Sequence, residues 1–244
     1  MEDSPAVLGD RRPAARRLRR GPRILVDGLD LTGKSTLTAA IIAALGERGV
    51  PAVPHRGMLA GHYPLEQRLR RTFPLVRQPD SSLVTTVFLL GAYPLDRVLV
   101  GIDPPTPPGT VLVQDGYADR TAALGMAGGP YLAARLALRW PRIYAPFDVA
   151  VYLHAPAAIR AARLAARPDA DVNDFRSARD TDFADTFTSM LTRGMGRRHR
   201  QLLIFDTSRH APEEMAAAVT GLLLPGTALD AAPVLPEPAT GRAA

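Results

Sequence analysis

Cysteine is absent from this 244-residue sequence, and lysine is almost absent. Without cysteine the chain can form no disulfide, no thiolate zinc site and no cysteine nucleophile. No uninterrupted apolar run reaches the roughly 20 residues that a membrane span needs. The N-terminal segment also lacks the apolar core of a signal peptide. The lack of a membrane-length apolar run and of a signal-peptide core predicts a cytoplasmic protein that does not associate with membranes.

The scarcity of lysine draws attention to one position. Of the 30 Lys and Arg residues, only Lys34 is lysine. A compact, flexible ammonium can sit between phosphate oxygens in a way that a planar guanidinium cannot. We interpret the single lysine as the sign of a working site.

Lys34 belongs to a segment with the pattern G-x-x-x-x-G-K-S, which begins at Gly28 and is typical of a phosphate-binding loop. Ile24–Val26 before the loop are apolar, and Leu37–Leu45 after it contain neither Gly nor Pro. This context predicts a strand, a loop and a helix, whose backbone N–H groups converge on an anion. Lys34 would reach the β- and γ-phosphates of a nucleotide, and Ser35 would ligate Mg²⁺. The predicted ATP-binding residues are Gly28, Leu29, Asp30, Leu31, Thr32, Gly33, Lys34, Ser35 and Thr36.

Strand and helix patterns alternate along the rest of the chain and predict an α/β fold. We expect a parallel sheet of about five strands with helices on both faces, in three layers. The polar stretch 169–179 is predicted to be a loop. The predicted strands are 23–27, 50–55, 111–113, 149–153 and 202–205, and the predicted helices are 34–47, 64–73, 81–100, 131–139, 157–167, 183–191 and 212–224.

Both ends of the chain differ in composition from its middle. Seven arginines fall between Arg11 and Arg23, without interleaved aromatic residues that could stack on bases. Such a run can attract phosphate groups or nucleic acid, but a solvated, disordered leader over residues 1–21 is the favoured interpretation. Residues 225–244 are rich in Pro and Ala and are predicted to be a disordered tail. One domain over 22–224 remains, with no nucleic-acid partner expected.

The order of the motifs resembles that of P-loop nucleoside monophosphate kinases, and of thymidylate kinases in particular. The resemblance covers about residues 22–224 and implies the P-loop NTPase fold with a lid at about 163–180. The segments that carry it are Val26–Thr36, Arg56–Leu65, Asp115–Arg120, Asp148–Pro156 with Arg163 and Arg167 after it, and the last strand and helix, 204–214.

The resemblance also implies roles for single residues. Catalysis would use Lys34, Arg163, Arg167 and Asp115, with Arg176 and Arg179 as further lid candidates. The alternatives are a helix-capping role for Asp115 and a solvated helix face for Arg163. The metal ligands would be Ser35 and Asp115, and the acceptor would be contacted by Asp30, Arg56, Arg97 and Tyr117. A homodimer is implied as well.

The sequence departs from the family pattern on the acceptor side. Gly116 stands in place of the arginine of D-R-Y, and Thr121–Gly125 lacks the family's glutamine. The F-A-x-D-R segment falls near Leu90–Pro94, where Arg97, one turn on, could replace the arginine. The catalytic arginine that one subgroup carries inside the loop is Leu31 here, which leaves that role to the lid arginines. The aromatic ring against the base would come from Phe88 or Tyr93.

Together these patterns predict an ATP- and Mg²⁺-dependent kinase that phosphorylates a nucleoside monophosphate, with dTMP as the default acceptor. Because the acceptor side is altered, a modified nucleotide or another small molecule is a second hypothesis. A nucleotide-binding regulator without turnover is a third. An NTPase linked to nucleic acid through the leader is disfavoured, because the basic run lies outside the fold.

Overall fold

The computed structural model describes residues 21–60, 82–129 and 131–224. The strands of this part are β1 (Arg23–Gly28), β2 (Ala52–Arg56), β3 (Val111–Asp115), β4 (Val149–His154) and β5 (Gln201–Asp206). They form one five-stranded sheet in the order β2-β3-β1-β4-β5, and every neighbouring pair is parallel. The predicted α/β class and all five predicted strands are confirmed.

The helices of the described residues cover both faces of this sheet. They are α1 (Lys34–Glu47), α2 (Ser82–Val87), α3 (Tyr93–Ile102), α4 (Ala118–Gly128), α5 (Tyr131–Arg139), α6 (Ala157–Ala165), α7 (Val172–Arg179), α8 (Thr181–Arg198) and α9 (Pro212–Leu223). A π-helical turn, Phe88–Ala92, joins α2 to α3, and a 3₁₀ turn, Pro141–Ile143, follows α5.

Alternate residues of the buried strands belong to two separate hydrophobic clusters. Ile24 and Val26 of β1 pack with α1 and α9, whereas Leu25 packs with α3, α4, α5 and α8. Successive side chains of a strand point to opposite faces, so a central strand that is apolar throughout must be covered on both sides. The result is the predicted arrangement of helix layer, sheet and helix layer.

The sheet order brings the ends of three strands to one edge. β1 lies between β3 and β4, with Val26 opposite Asp115 on one side and Gly28 opposite Leu153 on the other. In open parallel sheets ligands bind outside the carboxyl ends of the strands, at the point where the strand order reverses. The loop after β1 therefore lies where the fold favours a ligand site.

Two helices differ from the sequence prediction. The stretch 169–179 was predicted to be a loop, but Val172–Arg179 is the helix α7. The side chain of Asp171 accepts hydrogen bonds from the backbone N–H groups of Asn173 and Asp174, and Asp174 accepts one from the N–H of Asp171. This reciprocal cap uses Asp where the common pattern has Glu or Gln, so the sequence signal is weak. Helix α4 was not predicted, because Gly125 and Gly128 interrupt its helical pattern.

Some predictions fall on residues outside the described ranges. These are the helix over 64–73, the leader up to residue 20 and the tail over 225–244. They stay predictions.

Within the described residues, the run Thr85–Ile102 is long and apolar enough to cross a bilayer, with a mean hydropathy of 1.3. The run spans the second half of α2, the π-helical turn and all of α3. Core helices of water-soluble proteins pass the same test, and Leu89, Tyr93 and Val100 of this run pack into the core. Length and composition alone are therefore weak support for a membrane segment here.

The cap of α7 gives a stability prediction. Substitution Asp171→Ala should lower the free energy of unfolding by about 1 kcal/mol, because the N–H groups of Asn173 and Asp174 lose their acceptor. Urea denaturation measures this difference. Asp171→Asn is the matched control and should stay close to wild type, since Asn caps helices about as well as Asp. An equal loss in both variants would contradict a capping role.

Candidate functional site

The loop over residues 28–33 (the glycine loop) is held tightly against the end of β4. A Cβ atom on Gly28 would lie 2.5 Å from the carbonyl oxygen of Leu153 and 2.9 Å from Oγ1 of Thr32, so only glycine fits there. The hydroxyl of Thr32 donates to the carbonyl of Leu29 across the loop, at 2.7 Å. Helix α1 begins directly afterwards, and no side chain caps its first turn. Its N–H groups and positive dipole end are thus available to an anion.

All three donor positions of the Lys34 ammonium point back at the glycine loop. Nζ donates to the carbonyls of Gly28 and Leu29, at 3.2 and 2.8 Å, and to Oδ1 of Asp30, at 3.0 Å. An ammonium has no more than three N–H groups, so these contacts use the full set. A bound phosphate would have to take over at least one of them.

A second cation reaches the same loop from α4. The guanidinium of Arg120 donates from Nη1 to the carbonyl of Gly28, at 2.6 Å. Its Nη2 lies 2.8 and 2.7 Å from the two carboxylate oxygens of Asp30. Asp30 is therefore shared by two cations, Lys34 and Arg120. No role was predicted for Arg120, because it stands at the serine position of the family segment D-R-Y-x-D-S, which Asp115–Arg120 resembles.

Two carboxyl groups of this network have pKa values that move in opposite directions. Burial raises the pKa of Asp27 to about 6, against the opposing charges of Arg120 and Lys34. Burial also favours a higher pKa for Asp30, but the charges and hydrogen bonds of Arg120 and Lys34 outweigh it and lower the pKa to about 2. Oδ2 of the fully buried Asp27 has no hydrogen-bond partner among the described residues. Near neutral pH both groups are ionised and offset the two cations.

A buried ion network fixes the base of α4. Asp119 pairs with Arg198 and accepts from Nε2 of His199, at 3.0 Å, and Nδ1 of His199 accepts from the N–H of Phe147, at 3.1 Å. With Nδ1 acting as an acceptor, the proton sits on Nε2 and the ring is neutral. Burial and the neighbouring Arg198 lower the pKa of His199, which agrees with the neutral form. Helix α4, and Arg120 with it, is thereby anchored to the end of α8.

Arg163 approaches the glycine loop from the opposite side. Its Nη1 donates to the carbonyl of Leu31, at 2.8 Å, and to Oγ1 of Thr207, at 3.1 Å. Leu31 has a φ of 68°, a conformation that is uncommon for a residue with a branched side chain. The structure thus brings Arg163 into contact with the glycine loop.

The other lid arginines do not contact the glycine loop within the described residues. Arg167 is half exposed and pairs with Asp174, at 3.2 Å, and with Asp169, at 3.5 Å. The guanidiniums of Arg176 and Arg179 lie over the rings of Phe183 and Phe175, at 4.3 and 5.2 Å from the ring centroids.

A shallow cleft of about 380 Å³ opens between α1 and the ends of β2 and β3. The predicted metal ligands Ser35 and Asp115 both line it, together with Arg56, which lies opposite Asp115 in the sheet register. Among the described residues no group of three His, Asp or Glu side chains could hold a metal ion by itself. A hydroxyl and one carboxylate nevertheless fit Mg²⁺, which keeps waters and takes its other ligands from nucleotide phosphates.

The predicted acceptor residues are not gathered in one place. Tyr117 is 2% exposed and donates to Oδ2 of Asp96, at 2.5 Å, so its hydroxyl belongs to the core. Asp96 also accepts from the N–H groups of Leu59 and Ala60 and fixes the segment after β2. Arg97 is exposed, and no contact in the described part of the chain draws it to the glycine loop. Asp30 and Arg56 do lie at the carboxyl edge of the sheet.

Sequence analysis missed three groups that organise this edge. Buried Gln114 donates to the carbonyls of Gly57 and Gly116, at 2.9 and 2.7 Å, and thus ties the ends of β2 and β3 together. Asp96 fixes the segment after β2, and its position directly before Arg97 in a D-R pair was the available signal. For Arg120 the available signal was an arginine at the end of the segment Asp115–Arg120, which lacks the arginine of D-R-Y at position 116.

No protein-family model matches this chain, and no curated protein matches its sequence. The geometry of the site and the motifs of the sequence are therefore the two sources of information on function.

The raised pKa of Asp27 predicts a change of stability with pH. In the folded protein this carboxyl keeps its proton up to about pH 6, whereas in the unfolded chain it releases the proton near 3.8. The folded state binds more protons in that window, so this group's contribution to the free energy of unfolding falls as pH rises through it. Wild type should therefore lose stability between about pH 4 and 6 relative to Asp27→Asn, as urea denaturation would measure.

Asp30 does not obscure this comparison, because its contribution to stability is complete above about pH 4 and changes with pH only below that value. Parallel stability curves for wild type and Asp27→Asn from pH 4 to 7 would mean that the pKa of Asp27 is ordinary.

Proposed function

We propose that this protein is an ATP-dependent kinase that transfers the γ-phosphoryl group of ATP to the phosphate of a nucleoside monophosphate. The observation that carries the proposal is the placement of Lys34. The chain's only lysine lies at the first position of α1, in a tight loop after a central strand, and its ammonium is surrounded by loop carbonyls. A loop, a helix N-terminus and a lysine in this arrangement suit a polyphosphate.

Two guanidiniums on opposite sides of the loop support phosphoryl transfer in preference to nucleotide binding alone. Arg163 contacts the carbonyl of Leu31, and Arg120 contacts the carbonyl of Gly28. Phosphoryl transfer needs positioning and charge neutralisation, with little covalent chemistry from the protein. In the reaction the bond between the γ-phosphorus and the β–γ bridging oxygen breaks. A new bond forms to a phosphate oxygen of the acceptor, and the products are ADP and a nucleoside diphosphate.

Mg²⁺ fits the proposal through Ser35 and Asp115, which line the same cleft. When bound there, the ion would neutralise phosphate charge. Ser35 would contribute its hydroxyl oxygen, and Asp115 would accept hydrogen bonds from metal-bound water. Asp115 is half-buried at the end of β3. This position suits a carboxylate that binds the metal directly as well as one that binds metal-bound water.

The acceptor is the least constrained part of the proposal. We take dTMP as the default, following the resemblance, and Arg56 in the cleft as its contact. The burial of Tyr117 and the exposure of Arg97 favour a second candidate with the same chemistry and a different small acceptor. A homodimer and a cytoplasmic location remain predictions from the resemblance and the composition.

The experiment that tests the proposal is ADP release from ATP and Mg²⁺ with a panel of nucleoside monophosphates. Stimulation by dTMP alone would support a thymidylate kinase, and stimulation by another member would change the acceptor. ATP binding without stimulation by any member would favour the regulatory hypothesis.

Removal of the lysine side chain should cause the largest loss of kinase activity. Lys34→Ala should lower kcat/KM by roughly 1000-fold, on the scale of losing a preorganised donor to the transition state. Lys34→Arg should not restore activity, because a guanidinium cannot reproduce the compact contacts of the ammonium. Steady-state assays measure both.

The control for these variants is Arg193→Gln, a charge removal at an exposed position of α8 that should leave kcat/KM unchanged. Wild-type activity in a folded Lys34→Ala protein would contradict the proposal.

The two lid arginines should differ in effect. Arg163→Gln should lower kcat by on the order of 100-fold, with little change in the KM for the acceptor, because the lost charge would act on the transferring group. Arg167→Gln should lower kcat by less than about tenfold, since its guanidinium is paired with Asp174. Saturation kinetics on both substrates would measure these changes. Equal losses of kcat in the two variants would contradict the different roles of Arg163 and Arg167.

A further inference from the structure

Gly116 and Arg120 share one space beside the glycine loop. A Cβ atom on Gly116 would lie 3.0 Å from Cδ of Arg120, and Gly116 has a φ of 65°, a conformation that disfavours other residues. The Arg120 side chain therefore passes over position 116 and occupies the room that a side chain there would take. Glycine thus stands where the kinases that the sequence resembles carry an arginine, and the side chain of Arg120, one helical turn on, crosses this position.

From this observation we propose that Arg120 binds the phosphate of the acceptor, in place of the arginine that is missing at position 116. The inference rests on the proposed function in that the ligand is a nucleoside monophosphate. It names a residue that neither the motifs nor the resemblance assigns.

The position of Arg120 places it on the acceptor side of the loop. Arg120 belongs to α4, which follows β3, and the end of β3 carries Asp115 beside Arg56. Arg163 instead reaches the loop together with Thr207, which follows β5. Because β3 and β5 lie on opposite sides of β1, the two guanidiniums approach from opposite directions. Arg163 can therefore contact the transferring phosphoryl group while Arg120 contacts the phosphate of the acceptor.

The charges around Arg120 suit an exchange of partners. Oδ1 of Asp30 accepts from both Lys34, at 3.0 Å, and Arg120, at 2.8 Å. Asp27 lies 3.7 Å from Nη1 of Arg120. Side chains of Arg120 and Asp30 keep 20% and 22% of their surface exposed, so a ligand can reach them. A phosphate dianion offers a guanidinium the same fork of oxygens as a carboxylate, with more charge.

Calorimetric titration of the full chain with dTMP, and with thymidine as the ligand that lacks phosphate, tests this inference without turnover. Arg120→Gln should weaken dTMP binding by on the order of tenfold or more, as expected for loss of a charge-assisted fork. Thymidine binding should not change. If wild type prefers another nucleoside monophosphate of the panel, that nucleotide and its nucleoside replace the pair.

The loss could also come from Asp30, which would repel a phosphate once Arg120 no longer neutralises it. The double variant Arg120→Gln/Asp30→Asn separates these effects. If Arg120 binds the phosphate itself, the double variant stays weak. Recovery of wild-type affinity in the double variant would overturn the inference and reduce Arg120 to a neutraliser of Asp30.

Further results would also overturn the inference. These are unchanged dTMP affinity in Arg120→Gln, an equal loss for thymidine, and no binding of any nucleoside monophosphate to wild type. Arg193→Gln is the matched arginine control, and thermal unfolding checks the fold of each variant. Should Arg120→Gln fail to fold, Arg120→Lys carries the test, with an affinity expected between those of wild type and a full loss.

The binding test of Arg120 can succeed or fail whether or not the protein is a kinase. Phosphate-dependent binding that needs Arg120, in a protein that shows no ADP release, would support this inference and refute the kinase proposal. Turnover with a nucleoside monophosphate that is insensitive to Arg120→Gln would do the reverse.

Discussion

The site depends on one interaction, in which the carboxylate of Asp30 is shared between Lys34 and Arg120. This carboxylate holds the ammonium of Lys34 and the guanidinium of Arg120 against one tight loop. There burial raises the pKa of Asp27, whereas the two cations lower the pKa of Asp30 against the effect of burial. Two cations this close repel each other, and carboxylates offset that repulsion while no ligand is bound. The same arrangement leaves the cations ready for an anion of higher charge. An anion-binding site can therefore exist in a stable ligand-free fold.

The fold supplies the rigidity that this balance needs. Helix α4 is tied to α8 through Asp119, Arg198 and His199, so Arg120 projects from a fixed base. On the other side Arg160 donates to the carbonyls of Ser177 and Ala155 and joins α6 to α7, which positions the helix that carries Arg163. Both guanidiniums thus come from helices that are anchored away from the loop. Preorganised charge of this kind is what phosphoryl transfer requires from a protein.

Much of the fold could be predicted from sequence, because β1, β3, β4 and β5 each contain a short apolar run. The glycine loop was recognisable from its pattern of residues, and its backbone geometry demands glycine at position 28. Helix α7 was missed because an Asp–Asp cap is a weak signal, and Arg120 because its path over Gly116 is visible only in the folded chain. Tyr117 is the opposite case, because its motif position predicted a contact with the acceptor. Its side chain is instead buried in the core, where the hydroxyl donates to Asp96. The placement of Arg120 and Tyr117 depends on contacts between segments that are distant in sequence. The spacing of residues along the chain does not reveal such contacts.

The central claim is that the site transfers a phosphoryl group to an acceptor and does not only bind or hydrolyse ATP. The most direct test incubates the protein with ATP labelled in the γ-phosphate and a nucleoside monophosphate, and separates the products by chromatography. The account predicts that the label appears in the nucleoside diphosphate in step with ADP formation. Label that stays in ATP, or that appears only as inorganic phosphate, would contradict it.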